Sequence, residues 1–188
     1  MKLASMAIMA GSLKLMMLLK FKKKEIIIMQ NLNIENARIG YKNFRGLESK
    51  YNAQGNRTFS VFIDDADTAE ALLADGWNLK IRNKKDVAEG EDPKYHLPVS
   101  VKYGSDYYRP RIFQITSSGK TLLTEETVDL LDYSVFDKVD LSLRPYEWEV
   151  NGTSGIKAYV DEMYVTIQEG AFASKYSDTP TLDSEIPF

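Results

Sequence analysis

At 188 residues, with 44% hydrophobic and 27% charged side chains, the chain is sized and composed for one soluble globular domain with appendages. It has no cysteine and one histidine, which excludes a disulfide framework, a thiolate metal site and a Cys nucleophile, and argues against His-rich metal sites and Ser-His-Asp triads. The net charge of −3 is unevenly spread: residues 1–28 carry six Lys and one Glu, residues 29–170 carry 17 basic and 23 acidic residues, and residues 171–188 carry one Lys and three acids.

The first 28 residues interrupt their apolar run at Ser12 and Lys14 and place the Lys cluster after it. A secretory signal has the opposite polarity, and a membrane span needs about 18 uninterrupted apolar residues. Lys24-Glu25 can be encoded AAG GAG, a bacterial ribosome-binding sequence, with Ile26–Ile28 as spacer before Met29. Translation is therefore expected to begin at Met29, with 1–28 a mis-called upstream extension; the competing reading is an amphipathic helix on a membrane surface.

From Leu32 the pattern changes to short alternating segments divided by turns. NIENARIGYKNF predicts a kinked strand with Ile34, Ala37 and Ile39 inward. YNAQGNR is a turn and RTFSVFID a strand. DTAEALLADGW predicts a helix capped by Asp67 and stopped by Gly76. WNLKIR is a strand with Lys80 and Arg82 on one face, and Asn83–Lys94 a charged loop. YHLPVSVKY and RPRIFQIT are strands with edges or bulges at Pro98 and Pro110, and His96 is a satisfied strand residue. A short acidic helix starts near Thr124. KVDLSLRPYEWEV and GIKAYVDEMYVTI, joined at Asn151-Gly152, form a long hairpin. After Gly170 periodicity gives way to a Ser/Thr/Asp/Pro tail. The expected fold is mainly β: a five-stranded Greek-key OB-fold barrel with additional strands and two short helices, over residues 29–170, followed by a disordered acidic tail at 171–188. A β-sandwich is the alternative.

Basic residues are interleaved with aromatic ones in this otherwise acidic body. YKNFRG contributes Lys42, Phe44 and Arg45, followed by Tyr51 and Arg57. Lys80 and Arg82 come next, then Lys102, Tyr103, Tyr107, Tyr108, Arg109 and Arg111 from KYGSDYYRPR, and Arg144, Tyr146 and Trp148 from LRPYEWEV. Rings stack unpaired bases whatever their identity, while Lys and Arg neutralise phosphates. A groove for single-stranded nucleic acid, without sequence preference, follows from that pairing. Phe59, Phe62, Trp77 and Phe113 read as core. SSGKT (117–121) lacks the first glycine of a phosphate loop and reads as a hairpin turn. Asp64, Asp65 and Asp67 suit a helix N-terminus better than a metal, so no metal, cofactor or catalytic residue is expected.

The chain ends Asp183-Ser184-Glu185-Ile186-Pro187-Phe188. This resembles the C-terminal tip of bacterial single-stranded DNA-binding proteins, which end Asp-Asp-Asp-Ile-Pro-Phe; Asp183, Glu185, Ile186, Pro187 and Phe188 match in charge or identity, and Ser184 departs by removing one charge. The segments NARIGYKNFRG, KYNAQGNRTFSVFID and LLADGWNLKIR resemble the OB-fold single-stranded DNA-binding proteins of tailed bacteriophages over roughly residues 31–168. The resemblance implies a non-enzymatic protein of phage DNA replication, recombination or repair in the host cytoplasm. It implies single-stranded DNA (ssDNA) as ligand and, through the tip, replication and repair proteins as partners. A homo-oligomer is compatible with it and a membrane role is not. The alternative is a β-rich phage structural or interaction protein.

Overall fold

The computed structural model describes residues 30–81, 94–104 and 108–170. The expectations for residues 1–28 and for the tail from 171 lie outside these described residues. Nine strands form one sheet: β1 (Leu32–Ile34), β2 (Ile39–Asn43), β3 (Arg57–Ile63), β4 (Lys80–Ile81), β5 (Tyr95–Val101), β6 (Arg111–Thr116), β7 (Gly119–Leu123), β8 (Phe136–Val150) and β9 (Thr153–Ile167). Helix α1 (Ala66–Ala74) follows β3, and a 3-10 helix (Val128–Asp132) stands where the acidic helix is predicted.

The sheet closes because one kinked segment serves both ends. Its first half, β1, pairs antiparallel with β8 (Leu32 opposite Leu143), and its second half, β2, pairs with β3 (Ile39 opposite Val61). Between them the Ala37 N–H donates to the Val139 carbonyl at 2.7 Å and the Asn36 N–H to the Asp140 carboxylate at 2.8 Å, so the bend stays tied to β8. The circuit then runs β2–β3–β5–β9–β8–β1, with β5 and β9 parallel. This is the five-stranded Greek-key barrel expected from the sequence, with β4 and the β6–β7 hairpin as additions.

Prolines sit where the ladder can spare a donor. Pro98 faces Ser60 of β3 on one side of β5, and on the other falls in the gap between β4, paired at Tyr95 and His96, and β9, paired at Val99 and Ser100. Pro145 lies beyond Leu143, where β1 stops pairing with β8. The β8–β9 turn has Asn151 and Gly152 at φ 51° and 76°, the two successive left-handed residues of a two-residue hairpin turn. Asp65, rather than the predicted Asp67, caps α1 by accepting the Thr68 N–H at 2.8 Å.

Alternation buries Phe59, Val61, Leu97, Val99, Leu141, Leu143, Ala158, Val160, Met163 and Val165 inside the barrel. Val128 and Leu131 of the 3-10 helix and Ala69 and Leu72 of α1 extend this core. Trp77 is buried as predicted, bridged to Ile156. Phe62 departs from its expected core position: it points outward and its ring covers Gly40, where a Cβ would collide with it. Phe113 is half-buried and stacked on Tyr164 at 5.1 Å on the outer face. No helix among the described residues is long and apolar enough to cross a membrane.

Candidate nucleic-acid interface

Strand registers line up one row of outward side chains across five strands. Asn43 of β2 faces Thr58 of β3, Thr58 faces Ser100 of β5, Ser100 lies beside Tyr159 of β9, and Tyr159 faces Arg144 of β8. Their sequence neighbours Phe59, Val99, Ala158 and Leu143 fill the core, which is why this row faces out. Two residues along the hairpin, Tyr146 faces Lys157.

Rings and cations alternate at the β8–β9 end of the row. The Arg144 guanidinium lies 4.1 Å from the centre of the Tyr108 ring and 5.7 Å from that of Tyr159. The Lys157 ammonium is 5.0 Å from the Tyr159 ring, and Tyr146 meets Tyr159 edge-on at 5.8 Å. Tyr108 and Tyr146 remain 58% and 53% exposed, so their faces are open to a ligand. Lys102, Tyr108, Arg144, Tyr146 and Tyr159 line a cavity of about 320 Å³. Through Lys102 and Tyr159 it joins a second cavity of about 410 Å³, walled by Asn52, Asn56, Arg57, Ser100, Glu125 and Lys157 among others.

Charge within this groove is largely uncompensated. Lys102, Arg144 and Lys157 have no carboxylate partner among the described residues, whereas Arg57 pairs with Glu125 at 2.8 Å. The Nε atoms of Arg57 and Arg144 and the Tyr103 hydroxyl are buried without a hydrogen-bond partner among the described residues. Burial pushes the Tyr103 phenol up to about 12, against the pull of nearby Arg57 and with a smaller push from Glu125 and Glu126. Rings that can stack on bases and cations that can meet phosphates are the two components of a single-strand groove.

Of the residues selected from sequence, Arg57, Lys102, Tyr108, Arg144 and Tyr146 come together here. Tyr103 forms the buried floor between the 410 Å³ cavity and one of about 290 Å³ lined by Arg109, Arg111, Leu122 and Glu126, so its ring is shut away from stacking. Arg111 faces Glu162 at 3.6 Å. Trp148 is half-buried over Gly155, whose added Cβ would come within 3.1 Å of the indole. Arg45 lies over the Tyr133 ring at 5.5 Å and bonds its hydroxyl, and Tyr51 stands 89% exposed on the β2–β3 loop beside Lys50. Lys80 faces His96 across the β4–β5 pair. Arg82 and Tyr107 lie outside the described residues, as does the tip Asp183, Glu185, Ile186, Pro187 and Phe188.

Lys42 and Phe44 are corrections. Phe44 is fully buried and stacked on Phe59 at 5.4 Å, so its face is closed to a base. The Lys42 ammonium donates to the carbonyls of Leu131 (2.9 Å) and Ser134 (2.8 Å) and sits 4.1 Å over the Phe136 ring. Its burial lowers the ammonium's pKa from the ordinary value, with Asp132 acting in the opposite direction. Both residues tie the strand to the 3-10 helix.

Two groove residues, Lys157 and Tyr159, escaped the sequence reading. The signal was available: counting back from the two-residue turn at Asn151-Gly152 puts Lys157 opposite Tyr146 and Tyr159 opposite Arg144. A second outward cluster joins Tyr41, Phe62, His96 and Arg38, with Tyr41 edge-on to Phe62 at 5.6 Å and to His96 at 5.5 Å. The acidic run is spent structurally: Asp64 pairs with Arg38 at 2.5 Å and Asp65 caps α1.

The sequence model of a family described as "Putative phage ssDNA-binding domain" matches residues 21–187. No curated protein matches the chain by sequence. Among solved structures, the chain is similar to the single-stranded DNA-binding protein from bacteriophage Enc34 in complex with ssDNA: 10% identity, TM-score 0.49, covering 75% of this chain and 88% of that one. It is also similar to gp2.5, a single-stranded DNA binding protein encoded by bacteriophage T7: 11% identity, TM-score 0.34, covering 83% and 98%.

Proposed function

The chain belongs to the phage ssDNA-binding domain family, and from that premise we propose that it coats single-stranded DNA without sequence preference, through the groove centred on Arg144 and Tyr159. The observation that carries the reading is the Tyr108–Arg144–Tyr159 stack flanked by Lys102 and Lys157. Rings of that kind contribute about 1–3 kcal/mol per stacked base, whichever base it is. Each phosphate met by a cation releases counterion, so affinity falls with salt. Duplex DNA has its bases paired and stacked already, and offers such rings nothing. No bond is made or broken in this work, and the protein acts as a binder in host cytoplasm during phage DNA replication, recombination or repair. Residues 29–170 form the DNA-binding unit and 171–188 the tether of the tip.

The same reading gives the tip its part. Phe188, stiffened by Pro187 and flanked by Asp183 and Glu185, is a short anchor for a pocket with a basic rim on replication or repair proteins. Fluorescence anisotropy with labelled oligo-dT and a duplex of equal length, at low and high salt, tests the groove. Preference for oligo-dT, weakening as salt rises, is expected; equal affinity for both sinks the reading. Deleting Asp183–Phe188 should leave oligo-dT affinity intact or raised while abolishing capture of proteins that bind bacterial single-strand-binding tips, and unchanged capture would remove the tip's role.

A further inference from the structure

Among the described residues lining the 410 Å³ cavity, the charged ones are the cations Arg57, Lys102 and Lys157 and one carboxylate, Glu125. Its Oε1 meets Arg57 Nη1 at 2.8 Å. The two partners are unequally placed. The Arg57 side chain is only 20% exposed, its Nε is buried without a partner among the described residues, and its guanidinium lies 5.8 Å from the Tyr103 ring, so the head group is fixed. The Glu125 side chain is 48% exposed and follows Thr124, whose N–H is held by the Thr127 hydroxyl at 2.9 Å. The acid can swing away without disturbing the core, and the arginine cannot follow it.

A carboxylate and a phosphate present the same oxygen pair to a guanidinium. An ion pair whose acid is half exposed is weak, since solvent competes for the carboxylate. A strand phosphate arriving at this point meets Lys102 and Lys157 as well as Arg57, all lining the same cavity. We propose that Glu125 stands in the free protein where a phosphate of the bound strand stands in the complex, holding Arg57 ready and giving it up when the strand enters. This rests on the groove reading above. Glu125 then sets affinity: it makes the strand exchange one anion for another at Arg57, in place of filling a vacant cationic site.

The experiment is anisotropy with labelled oligo-dT at several salt concentrations, using the full chain and the variants Glu125→Gln, Glu126→Gln, Arg57→Gln and the Glu125→Gln/Arg57→Gln double. Glu126 is the through-space control, the next carboxylate along the chain, lining the adjoining 290 Å³ cavity and not the 410 Å³ one. Glu125→Gln should tighten binding about two- to fivefold, the range an exposed pair is worth. It should also steepen the salt slope by about 0.7, the share of one single-strand phosphate. In the Arg57→Gln background the same substitution should have no more effect than Glu126→Gln has alone. An unchanged affinity for Glu125→Gln, or an equal gain in both backgrounds, overturns the proposal while leaving the groove in place. Failure of every chain, wild type included, to bind oligo-dT overturns the groove and the proposal together.

Discussion

Arg144 is held by the ring faces of Tyr108 and Tyr159, and its Nε has no partner among the described residues, so its charge is aimed before any ligand arrives. Removing Tyr159 takes away one of the two rings of that stack. Tyr159→Ala should weaken oligo-dT binding by about 1–3 kcal/mol at fixed salt, read by anisotropy, and a loss confined to duplex would contradict it. Lys42 and Lys157 separate structural from electrostatic charge. Lys42→Ala should lower stability by about 1–3 kcal/mol, because two carbonyls lose their donor, with the salt slope of binding unmoved. Lys157→Ala should do the reverse, flattening the slope by about 0.7 with an unchanged melting temperature. Tyr103 gives a pH signature. Its folded-state pKa of about 12 lies above the ordinary value of 10, so its contribution to stability is whole below pH 10 and is lost as pH rises towards 12. Tyr103→Phe should remove that alkaline loss and leave neutral-pH stability equal or slightly higher, since the deleted hydroxyl has no partner among the described residues. Denaturant melts across pH 8–12 would reveal it.

The long β8–β9 hairpin carries Arg144, Tyr146, Lys157 and Tyr159, so its register decides whether the groove exists. That register hangs on Asn151-Gly152, with Gly152 at φ 76°. Gly152→Ala should cost about 1 kcal/mol through left-handed strain, measured by urea unfolding, and should perturb binding through the hairpin's far end. This element was legible in the sequence: the two-residue turn and two alternating runs define its pairing. The β2 segment was not. Gly40 pairs with Ser60 and Asn43 with Thr58, so the strand bulges between them and Tyr41 takes φ 51°. The extra residue flips the alternation, sending Phe44 into the core and Lys42 onto the 3-10 helix while Tyr41 stays 58% exposed. A bulge with tyrosine in the left-handed position leaves no mark in a period-two pattern, so YKNFRG looked like one surface cluster. Phe62 escaped for a related reason: its outward ring is accommodated by Gly40, a diagonal neighbour paired with Ser60, where a missing Cβ makes room for it.

At the scale of the whole molecule, the fold class and segregation of charge could be read from composition and alternation, whereas the strand pairings that close the barrel could not. Closure needs Leu32 beside Leu143 and Val99 beside Ala158, contacts whose partners lie far apart in sequence and share no local signal. The groove is likewise assembled from distant pieces: the β2–β3 loop, the end of β5 and the hairpin. That is why the residue types were foreseeable and only part of the membership was.

Strand β9 has β8 along one edge and, along the other, the Gly76–Asn78 turn at Ile156, then β5, then β6. It is also the last strand described. A ribosome delivering about 5–20 residues per second must therefore release every other wall of the barrel before the piece that locks them arrives. Until then β5, β6 and β8 each hold out a bare hydrogen-bonding edge, and nascent chains crowded on one messenger could zip to one another instead of to themselves.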